Sequence, residues 1–213
     1  MASYNTDELG KRFIVIEGID GAGTTTQLEL LARSLAARNV PCVTTAEPTK
    51  GPVGKIIRAI LSGQMQAAPT TVAYLYATDR NEHLYGSQGV IETIKAGSVV
   101  ISDRYALSSL AYQGVTCGSA LPWRLNSGFP VPGLTLLFEV SPEIAMGRIR
   151  SRPVQEIYET LEFQRRVYTM YKRMADRLER RGWRIERIDA AQDIESVHRE
   201  VESHVFAFLG IEA

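Results

Sequence analysis

A glycine-rich segment near the amino terminus has the spacing of a phosphate-binding loop. Residues 17–27 read EGIDGAGTTTQ, with Gly18, Gly23 and Thr25 at the positions of two glycines and the hydroxyl residue in G-x-x-x-x-G-K-[ST]. The glycines of this motif let backbone N–H groups face an anion, and its hydroxyl residue reaches Mg²⁺. The segment joins an apolar run to an amphipathic one, which is the strand–loop–helix context that the motif requires. An ordinary strand-to-helix turn is the alternative.

The lysine position of this motif is occupied by Thr24. A lysine there brings a unit charge toward the β- and γ-phosphates of a nucleotide. A threonine donates one neutral hydrogen bond instead. Because losing one positioned donor at a developing charge costs about 10²–10³ in rate, we expect Thr24 to affect phosphoryl transfer more than binding.

A carboxylate and an arginine follow a second apolar run. Asp103 and Arg104 come directly after residues 98–102 (SVVIS), so they are expected at the carboxyl end of a strand, near the glycine-rich loop. A carboxylate there can hold Mg²⁺ or its water shell, and an arginine can bind a phosphate through two parallel hydrogen bonds. The alternative is a helix-start carboxylate beside a solvated arginine.

Two further pairs of residues could hold a nucleoside. Tyr76 and Arg80 are four residues apart and therefore share one helix face, where a ring can stack on a base and a guanidinium can bond its edge. The alternative is a half-buried tyrosine covered by an arginine stem. Tyr112 and Gln113 lie near the end of the helix after Arg104, and a tyrosine packed against a sugar can exclude a 2′-hydroxyl by bulk.

With these stretches in order, the chain resembles the thymidylate kinase family over essentially its whole length. The stretch SDRYALSSLAYQG matches the family's D-R-Y-x-x-S-x-x-A-Y-Q-G and is the most specific. The resemblance implies a P-loop nucleoside monophosphate kinase that phosphorylates dTMP to dTDP with ATP and Mg²⁺, and it implies a homodimer. The stretches that carry it are 17–27, 47–61 (EPTKGPVGKIIRAIL), 74–84 (YLYATDRNEHL), 102–114 and 188–198 (IDAAQDIESVH).

The resemblance also implies residue roles. Asp20 would contact the 3′-hydroxyl of the deoxyribose, Tyr76 would stack on thymine, and Arg80 would bond its O4. Tyr112 would select deoxyribose, and Glu47 would position Arg104 or the metal. The residues implied for dTMP are Asp20, Glu47, Arg58, Tyr76, Arg80, Arg104, Ser108 or Ser109, Tyr112 and Gln113. Those implied for ATP are Gly18, Gly21, Ala22, Gly23, Thr24, Thr25, Thr26 and Arg148, and those for the metal are Thr25 and Asp103.

Residues 148–163 (RIRSRPVQEIYETLEF) occupy the place of the family's lid, which we expect over about 148–158. Its three alternating arginines could close over the ATP phosphates; the alternative is a solvated basic helix end. Some family members carry a catalytic arginine in the phosphate loop, but Gly21 stands there, so Arg150 or Arg152 is expected to act in catalysis with Asp20 and Arg104. The chain also departs from the family at two positions where many members have arginine, namely Ile157 and Ala46.

The elements that would position these residues alternate along the chain. Apolar β-branched runs predict strands at 12–17, 41–46, 98–102, 134–140 and 183–189. Amphipathic stretches predict helices at 25–38, 52–62, 71–95 with a break near Gly86 and Gly89, from Ser141-Pro142 onward, 156–181 and 193–208. Strands separated by helices predict a three-layer α/β fold, a parallel sheet of about five strands with helices on both faces.

Bulk properties limit the alternatives. The 213 residues suit one domain, 1–213, and a formal net charge of zero argues against a general nucleic-acid surface. No secretory signal and no stretch of 18 apolar residues is visible, so a cytoplasmic protein without membrane contact is expected. Cys42 and Cys117 are expected to be free thiols.

Three functions stay open at this point. The first is an active ATP-dependent dTMP kinase in which lid arginines replace the missing lysine. The second is a kinase-like nucleotide-binding protein with little transfer activity, and the third is a kinase for another nucleoside monophosphate. Thr24 and Ile157 motivate the second, and the three missing basic groups motivate the third.

Overall fold

The computed structural model describes residues 6–150 and 157–212, and for residues 6–8 it describes the backbone alone. One or more helices separate each strand from the next along this part of the chain. The strands are β1 (Phe13–Gly18), β2 (Cys42–Ala46), β3 (Val99–Asp103), β4 (Leu134–Glu139) and β5 (Ile185–Asp189). The helices are α1 (Thr6–Arg12), α2 (Thr24–Ala37), α3 (Pro52–Leu61), α4 (Pro69–Tyr85), α5 (Val90–Lys95), α6 (Ala106–Cys117), α7 (Ala120–Asn126), α8 (Pro142–Ile149), α9 (Leu161–Glu179) and α10 (Ile194–Leu209).

The five strands form one parallel sheet in the order β2-β3-β1-β4-β5. The central strand β1 shows how both faces are covered, because successive strand residues point to opposite faces. Ile14 and Ile16 belong to an apolar cluster with α2, α6, α9 and α10, whereas Phe13 and Val15 belong to a cluster with α1, α4 and α5. Helices therefore cover both faces, which confirms the predicted three-layer fold.

The strand order opens a crevice at the carboxyl end of β1. From β1 the chain builds β2 and β3 on one side, then β4 and β5 on the other, and ligands of open α/β sheets bind where the order reverses. Ile16 of β1 pairs with Asp103 of β3 in the parallel register. The residues that follow these two strands, the glycine-rich loop and Arg104, therefore lie side by side.

Several predicted element boundaries are confirmed. The predicted break near Gly86 and Gly89 separates α4 from α5, and all five strands lie within two residues of their predicted bounds. Ser141 caps α8 as predicted, since its hydroxyl accepts the Ile144 N–H at 3.3 Å and Pro142 follows in the first turn.

The predicted start of the long charged helix at 156 is wrong. Helix α9 begins at Leu161, and the Thr160 hydroxyl caps it by accepting the Phe163 N–H at 3.3 Å. The preceding residues bond elsewhere: the Ile157 N–H donates to the Leu61 carbonyl of α3 at 2.9 Å. Helices α1 and α7 are also absent from the sequence prediction, because each is only seven residues long and too short to show helical periodicity.

The two cysteines are free thiols, as expected. Burial raises the pKa of the Cys42 thiol and of the Cys117 thiol, which disfavours the reactive thiolate at both positions. Within the described residues, no helix combines the length and the apolar character that crossing a membrane requires.

Gly54, in the first turns of α3, is a position where a side chain would meet the backbone. An added Cβ would lie 1.9 Å from the Thr49 carbonyl oxygen. The Thr49 segment cannot easily retreat, because Asp79 accepts its N–H at 2.7 Å and its hydroxyl at 2.6 Å. We therefore expect Gly54→Ala to lower the free energy of unfolding by about 1–3 kcal/mol, measured by urea denaturation.

Gly147 in α8 provides the matched control. An added Cβ there has no heavy atom within 4 Å. Because glycine in a helix interior is less stable than alanine, Gly147→Ala should raise the free energy of unfolding by about 0.5–1 kcal/mol. Effects of the same sign in both variants would contradict this account of how α3 is anchored.

Candidate active site

The loop between β1 and α2 has the geometry of an anion-binding turn. Gly21 and Gly23 have φ values of 85° and 92°, which favour glycine. A Cβ on Gly21 would lie 2.2 Å from the Ala145 carbonyl oxygen, so α8 packs directly against the loop. Thr24 and Thr25 then form the first turn of α2, where the N–H groups and the helix dipole favour an anion.

Two cavities lie on either side of this loop. The first has a volume of about 420 Å³ and the second about 870 Å³. Gly21, Gly23 and Thr26 line both of them. The loop therefore forms a wall between two spaces, which is an arrangement suited to two ligands that meet at a phosphate.

The first cavity brings together most of the residues predicted for the acceptor and the metal, which come from distant parts of the sequence. Its lining also includes Tyr158 and Glu159, which precede α9. The predicted residues that line it are Asp20, Thr24, Thr25, Glu47, Arg58, Tyr76, Asp103, Arg104, Ser108, Ser109, Tyr112 and Gln113.

Arg80 is placed differently from the other predicted acceptor residues. It is 1% exposed, lies outside the cavity lining, and is held by a network of side chains. Its Nη2 lies 2.5 Å from Glu47 Oε2 and 3.1 Å from Ser109 Oγ, and its Nη1 donates to Asn126 Oδ1. A buried guanidinium requires such partners, since desolvation without them is costly.

The Glu47 carboxylate binds Arg80 rather than Arg104, and its predicted role near the metal stays a prediction. Glu47 Oε2 binds Arg80, and Glu47 Oε1 lies 3.0 Å from His83 Nδ1. The other ring nitrogen of His83 lies 2.7 Å from the Thr45 hydroxyl. The Glu47 carboxylate therefore binds two side chains of α4, those of Arg80 and His83.

Arg104 instead pairs with Asp20 of the phosphate loop. Its Nη2 lies 2.6 Å from Asp20 Oδ1, and its Nη1 donates to the Gly18 carbonyl at 2.9 Å. Its φ is 73°, a strained value for a side-chain-bearing residue, and its N–H bonds the Ile16 carbonyl at 2.9 Å. The strained backbone thus aims a cation at the loop.

Asp103 and Thr25 form a pair of oxygen donors at the edge of this cavity. The Thr25 hydroxyl donates to Asp103 Oδ2 at 2.7 Å. Asp103 Oδ1 is buried and has no hydrogen-bond partner among the described residues. A hard cation such as Mg²⁺ prefers oxygen ligands, so the unpartnered oxygen fits the predicted metal site. Among the described residues no cluster of three His, Cys, Asp or Glu is placed to hold a metal, so the remaining ligands would come from phosphate or water.

Glu17, which no sequence pattern singles out, forms hydrogen bonds that hold residues of the site in place. Its Oε1 accepts the N–H groups of Tyr105 and Ser108, at the start of α6. Its Oε2 accepts the Ser108 hydroxyl at 2.5 Å and the Tyr171 hydroxyl at 3.1 Å. Glu17 therefore caps α6 and fixes Ser108 at the cavity.

Gln164 of α9 also contacts the site and was not predicted. Its Nε2 donates to Asp20 Oδ2 at 2.7 Å. Neither Glu17 nor Gln164 belongs to a pattern with a defined chemical role, although the position of Glu17 at the end of an apolar strand is an unusual place for a carboxylate.

The predicted donor residues line one or both cavities except Gly18, and of the two described lid arginines Arg148 lines the second cavity. Ala22 and Arg148 line the second cavity, and Arg148 is exposed on α8. Arg150 follows α8 and is exposed, while Arg152 lies outside the described residues. Ile157, where many members have arginine, is 49% exposed.

The charges lining the first cavity favour an added cation. The described lining carries four carboxylates and two guanidinium groups, and the Arg80 guanidinium behind the lining pairs with one of these carboxylates, Glu47. Thr24 contributes no charge where the motif has lysine. Nucleotide phosphates placed there need further positive charge. The carboxylates are Asp20, Glu47, Asp103 and Glu159, and the guanidinium groups are Arg58 and Arg104.

The sequence is similar to known proteins over most of its length. Residues 16–201 match the family model described as "Thymidylate kinase". A "Putative thymidylate kinase" from Treponema pallidum is 36% identical over 196 residues, which cover 91% of this chain and 94% of that protein. A second protein with that name, from Aeropyrum pernix, is 37% identical over 94% of this chain and 98% of its own length. A "Thymidylate kinase" from Carboxydothermus hydrogenoformans is 33% identical over 90% of this chain and 95% of its own length.

The buried carboxyl of Glu17 predicts a pH dependence of stability. Burial raises the pKa of Glu17 above its ordinary value of 4.5, although Ser108 and Arg104 act to lower it. Between these two pKa values the folded state retains a proton that the unfolded chain has released, so stability falls as pH rises. Because Glu17→Gln cannot ionise, the free energy of unfolding of this variant should increase relative to that of the wild type as the pH rises above about 4.5.

Urea denaturation at several pH values measures this difference. Glu29→Gln is the control for the loss of one carboxylate, because Glu29 is exposed on α2. A Glu17→Gln difference that stays constant or shrinks as the pH rises would contradict the raised pKa.

Proposed function

The chain belongs to the thymidylate kinase family, and from that membership we propose that it transfers the γ-phosphoryl group of ATP to dTMP, giving dTDP. One observation carries the proposal: residues from the phosphate loop, α3, α4 and the start of α6 line one cavity beside that loop. These segments lie far apart in sequence, and an acceptor site next to a phosphate site is what phosphoryl transfer between two nucleotides requires.

The proposed reaction is an in-line displacement. An oxygen of the dTMP 5′-phosphate attacks the γ-phosphorus of ATP, and the bond from that phosphorus to the β,γ-bridging oxygen breaks as ADP leaves. No covalent enzyme intermediate is involved. The loop N–H groups hold the donor phosphates, and Arg58 and Arg104 hold the acceptor phosphate, so that catalysis consists of positioning and of neutralising charge.

The acceptor base is assigned to the part of the first cavity between α4 and α6. Tyr76 would stack on thymine, and Tyr112 would exclude a 2′-hydroxyl. Gln113 is 2% exposed, and its Oε1 has no hydrogen-bond partner within the described part of the chain. A buried acceptor without a partner is costly, and an N–H group of a bound base would satisfy it.

Mg²⁺ is proposed at Thr25 and Asp103. The support is the unpartnered buried oxygen of Asp103 and the hydroxyl of Thr25 beside it. When bound there, the ion would neutralise charge on the β- and γ-phosphates, which the acidic lining of the cavity cannot do.

A nucleotide-binding protein with little transfer activity is the second candidate. Two observations favour it: Thr24 lines the cavity in place of lysine, and carboxylates outnumber cations in the described lining. The missing charge would have to come from the lid arginines, which are Arg148, Arg150 and Arg152.

A kinase for another nucleoside monophosphate is the third candidate, since Arg80, the predicted reader of thymine O4, is buried behind the lining.

We also propose a homodimer in the cytoplasm, as the family resemblance implies. Large apolar side chains are exposed on β2, on α3 and on α4, and α3 packs against α4, which supports a partner surface that includes these two helices. Analytical ultracentrifugation at micromolar concentration would test it, and a purely monomeric sedimentation profile would contradict the dimer. These side chains are Val43 (44%), Ile56 (41%) and Tyr74 (52%).

A panel of acceptors tests the proposed function directly. The purified protein is assayed with ATP and Mg²⁺ against dTMP, dUMP, UMP and CMP, with ADP formation coupled to a spectroscopic signal. We expect dTMP to give the highest kcat/KM, and we expect UMP and CMP to be at least about tenfold poorer, because Tyr112 would meet their 2′-hydroxyl groups. Preference for UMP or CMP would favour the third candidate.

Replacement of Thr24 separates the first two candidates. Because a lysine acts on charge that develops during transfer, Thr24→Lys should raise kcat about tenfold or more and change the KM for dTMP by less than about threefold. Ala36→Lys, on the exposed end of α2, adds the same charge away from both cavities and should change neither constant.

The outcomes of this substitution differ among the candidates. A silent wild type with an active Thr24→Lys variant would support the binding protein. A wild type that turns over dTMP would support the kinase proposal. A gain in kcat with Thr24→Lys would then mean that no other cation fully replaces the lysine, whereas no gain would mean that another cation has taken its place, which Arg150→Ala and Arg152→Ala would locate. Silence from both proteins, despite measurable nucleotide binding, would contradict the kinase proposal.

A further inference from the structure

Asp20 of the phosphate loop is held from three different elements. Its Oδ1 lies 2.6 Å from Arg104 Nη2, after β3, and its Oδ2 accepts Gln164 Nε2 of α9 at 2.7 Å. Its backbone N–H donates to the Tyr112 hydroxyl of α6 at 3.1 Å. The side chain of Asp20 remains 18% exposed, and the residue lines the first cavity. The carboxylate is therefore fixed in direction and still open toward a ligand.

Packing alone does not explain the amide at position 164. Gln164 is 0% exposed, and its Oε1 is buried with no hydrogen-bond partner among the described residues. A buried acceptor without a partner destabilises a fold, and an apolar side chain of similar length would not carry this cost. What the amide provides is its donor group, which bonds Asp20 and, at 3.0 Å, the Tyr158 carbonyl.

The surroundings of Gln164 keep that donor in place. The rings of Tyr158 and Phe163 stack with centroids 4.7 Å apart and an angle of 11° between their planes. Both rings also approach Tyr112, at 6.3 and 6.2 Å. Val167, one turn further along α9, is 0% exposed in the core. The side chain of Gln164 is thus enclosed between an aromatic cluster and the core.

We propose that Gln164 is a positioning residue for recognition of the acceptor's 3′-hydroxyl group. Gln164 and Arg104 together orient the Asp20 carboxylate so that its remaining lone pairs face the sugar. The proposal rests on the proposed function and on the role that the family resemblance implies for Asp20, a contact with that hydroxyl. It adds a residue of α9, outside every stretch that carries the family resemblance, to the determinants of acceptor specificity.

Binding measurements test this inference without depending on turnover. The full-length protein is titrated calorimetrically with dTMP and with its 3′-deoxy analogue, so that the ratio of the two dissociation constants reports the 3′-hydroxyl contact. The variants are Gln164→Met, which has similar length and no donor, and Gln164→Glu, which is nearly isosteric but carries a carboxylate toward Asp20. Val167→Ala is the control, because it removes core packing from the same helix without touching Asp20.

We expect the wild type to bind dTMP about tenfold more tightly than the 3′-deoxy analogue, as for one hydrogen bond to a charged group. Both Gln164 variants should reduce that ratio to less than about threefold, because an Asp20 carboxylate that only Arg104 holds, or that an introduced carboxylate repels, is no longer presented to the hydroxyl in one orientation. Val167→Ala should lower the thermal midpoint and keep the ratio. The result for Gln164→Glu decides most, because glutamate fills the same space as glutamine. A reduced ratio of dissociation constants in this variant would therefore show that Gln164 does more than fill space.

A ratio that stays at the wild-type value in both Gln164 variants would overturn the inference and leave the proposed function untouched. A wild type that binds both ligands equally would overturn the inference together with the assigned role of Asp20, while the turnover assay with dTMP would still decide the kinase proposal by itself. Should Gln164→Met fail to fold, Gln164→Asn retains the amide but withdraws it by one methylene group, and the same loss of preference is expected.

Discussion

The pairing of β1 with β3 is the constraint on which the site depends. The parallel register sets Ile16 against Asp103, so the chain segments that leave these strands start from neighbouring points. Arg104 then reaches back to Asp20, and Thr25 reaches across to Asp103. If this register slipped by one residue, side chains would exchange faces of the sheet, and the arginine would point away from the loop. The central hydrogen-bond ladder thus sets the geometry of the phosphate site.

The parts of the fold that depend on local pattern could be predicted from sequence. β-branched apolar runs and amphipathic periods are patterns of consecutive residues, so the sequence predicts the strands and helices directly. Their alternation then predicts the parallel sheet. The phosphate loop and the Asp103–Arg104 pair could be placed for the same reason, since each follows its strand directly. The start of α9 could not, because the bond from Ile157 to Leu61 joins residues almost a hundred positions apart.

The distribution of charge partners was the least predictable feature. Glu47 could pair with Arg104, Arg80 or a metal, and composition does not distinguish among them. The outcome was decided by burial: Arg80 lies beneath the cavity lining, and a desolvated guanidinium requires Glu47, Ser109 and Asn126 around it. Asn126 gives no advance signal, because it lies in a short helix whose position only the tertiary structure defines.

The phosphate loop separates the two cavities by the thickness of a single backbone segment, since Gly21, Gly23 and Thr26 face both sides. Such a partition cannot be altered for one ligand alone. In the proposed reaction, a change in loop shape that improves the fit of one nucleotide shifts the surface offered to the other, so the two Michaelis constants are expected to vary together. Acceptor preference in this architecture would then evolve through residues remote from the loop, on α4, α6 and α9, where a side chain contacts one ligand and not both.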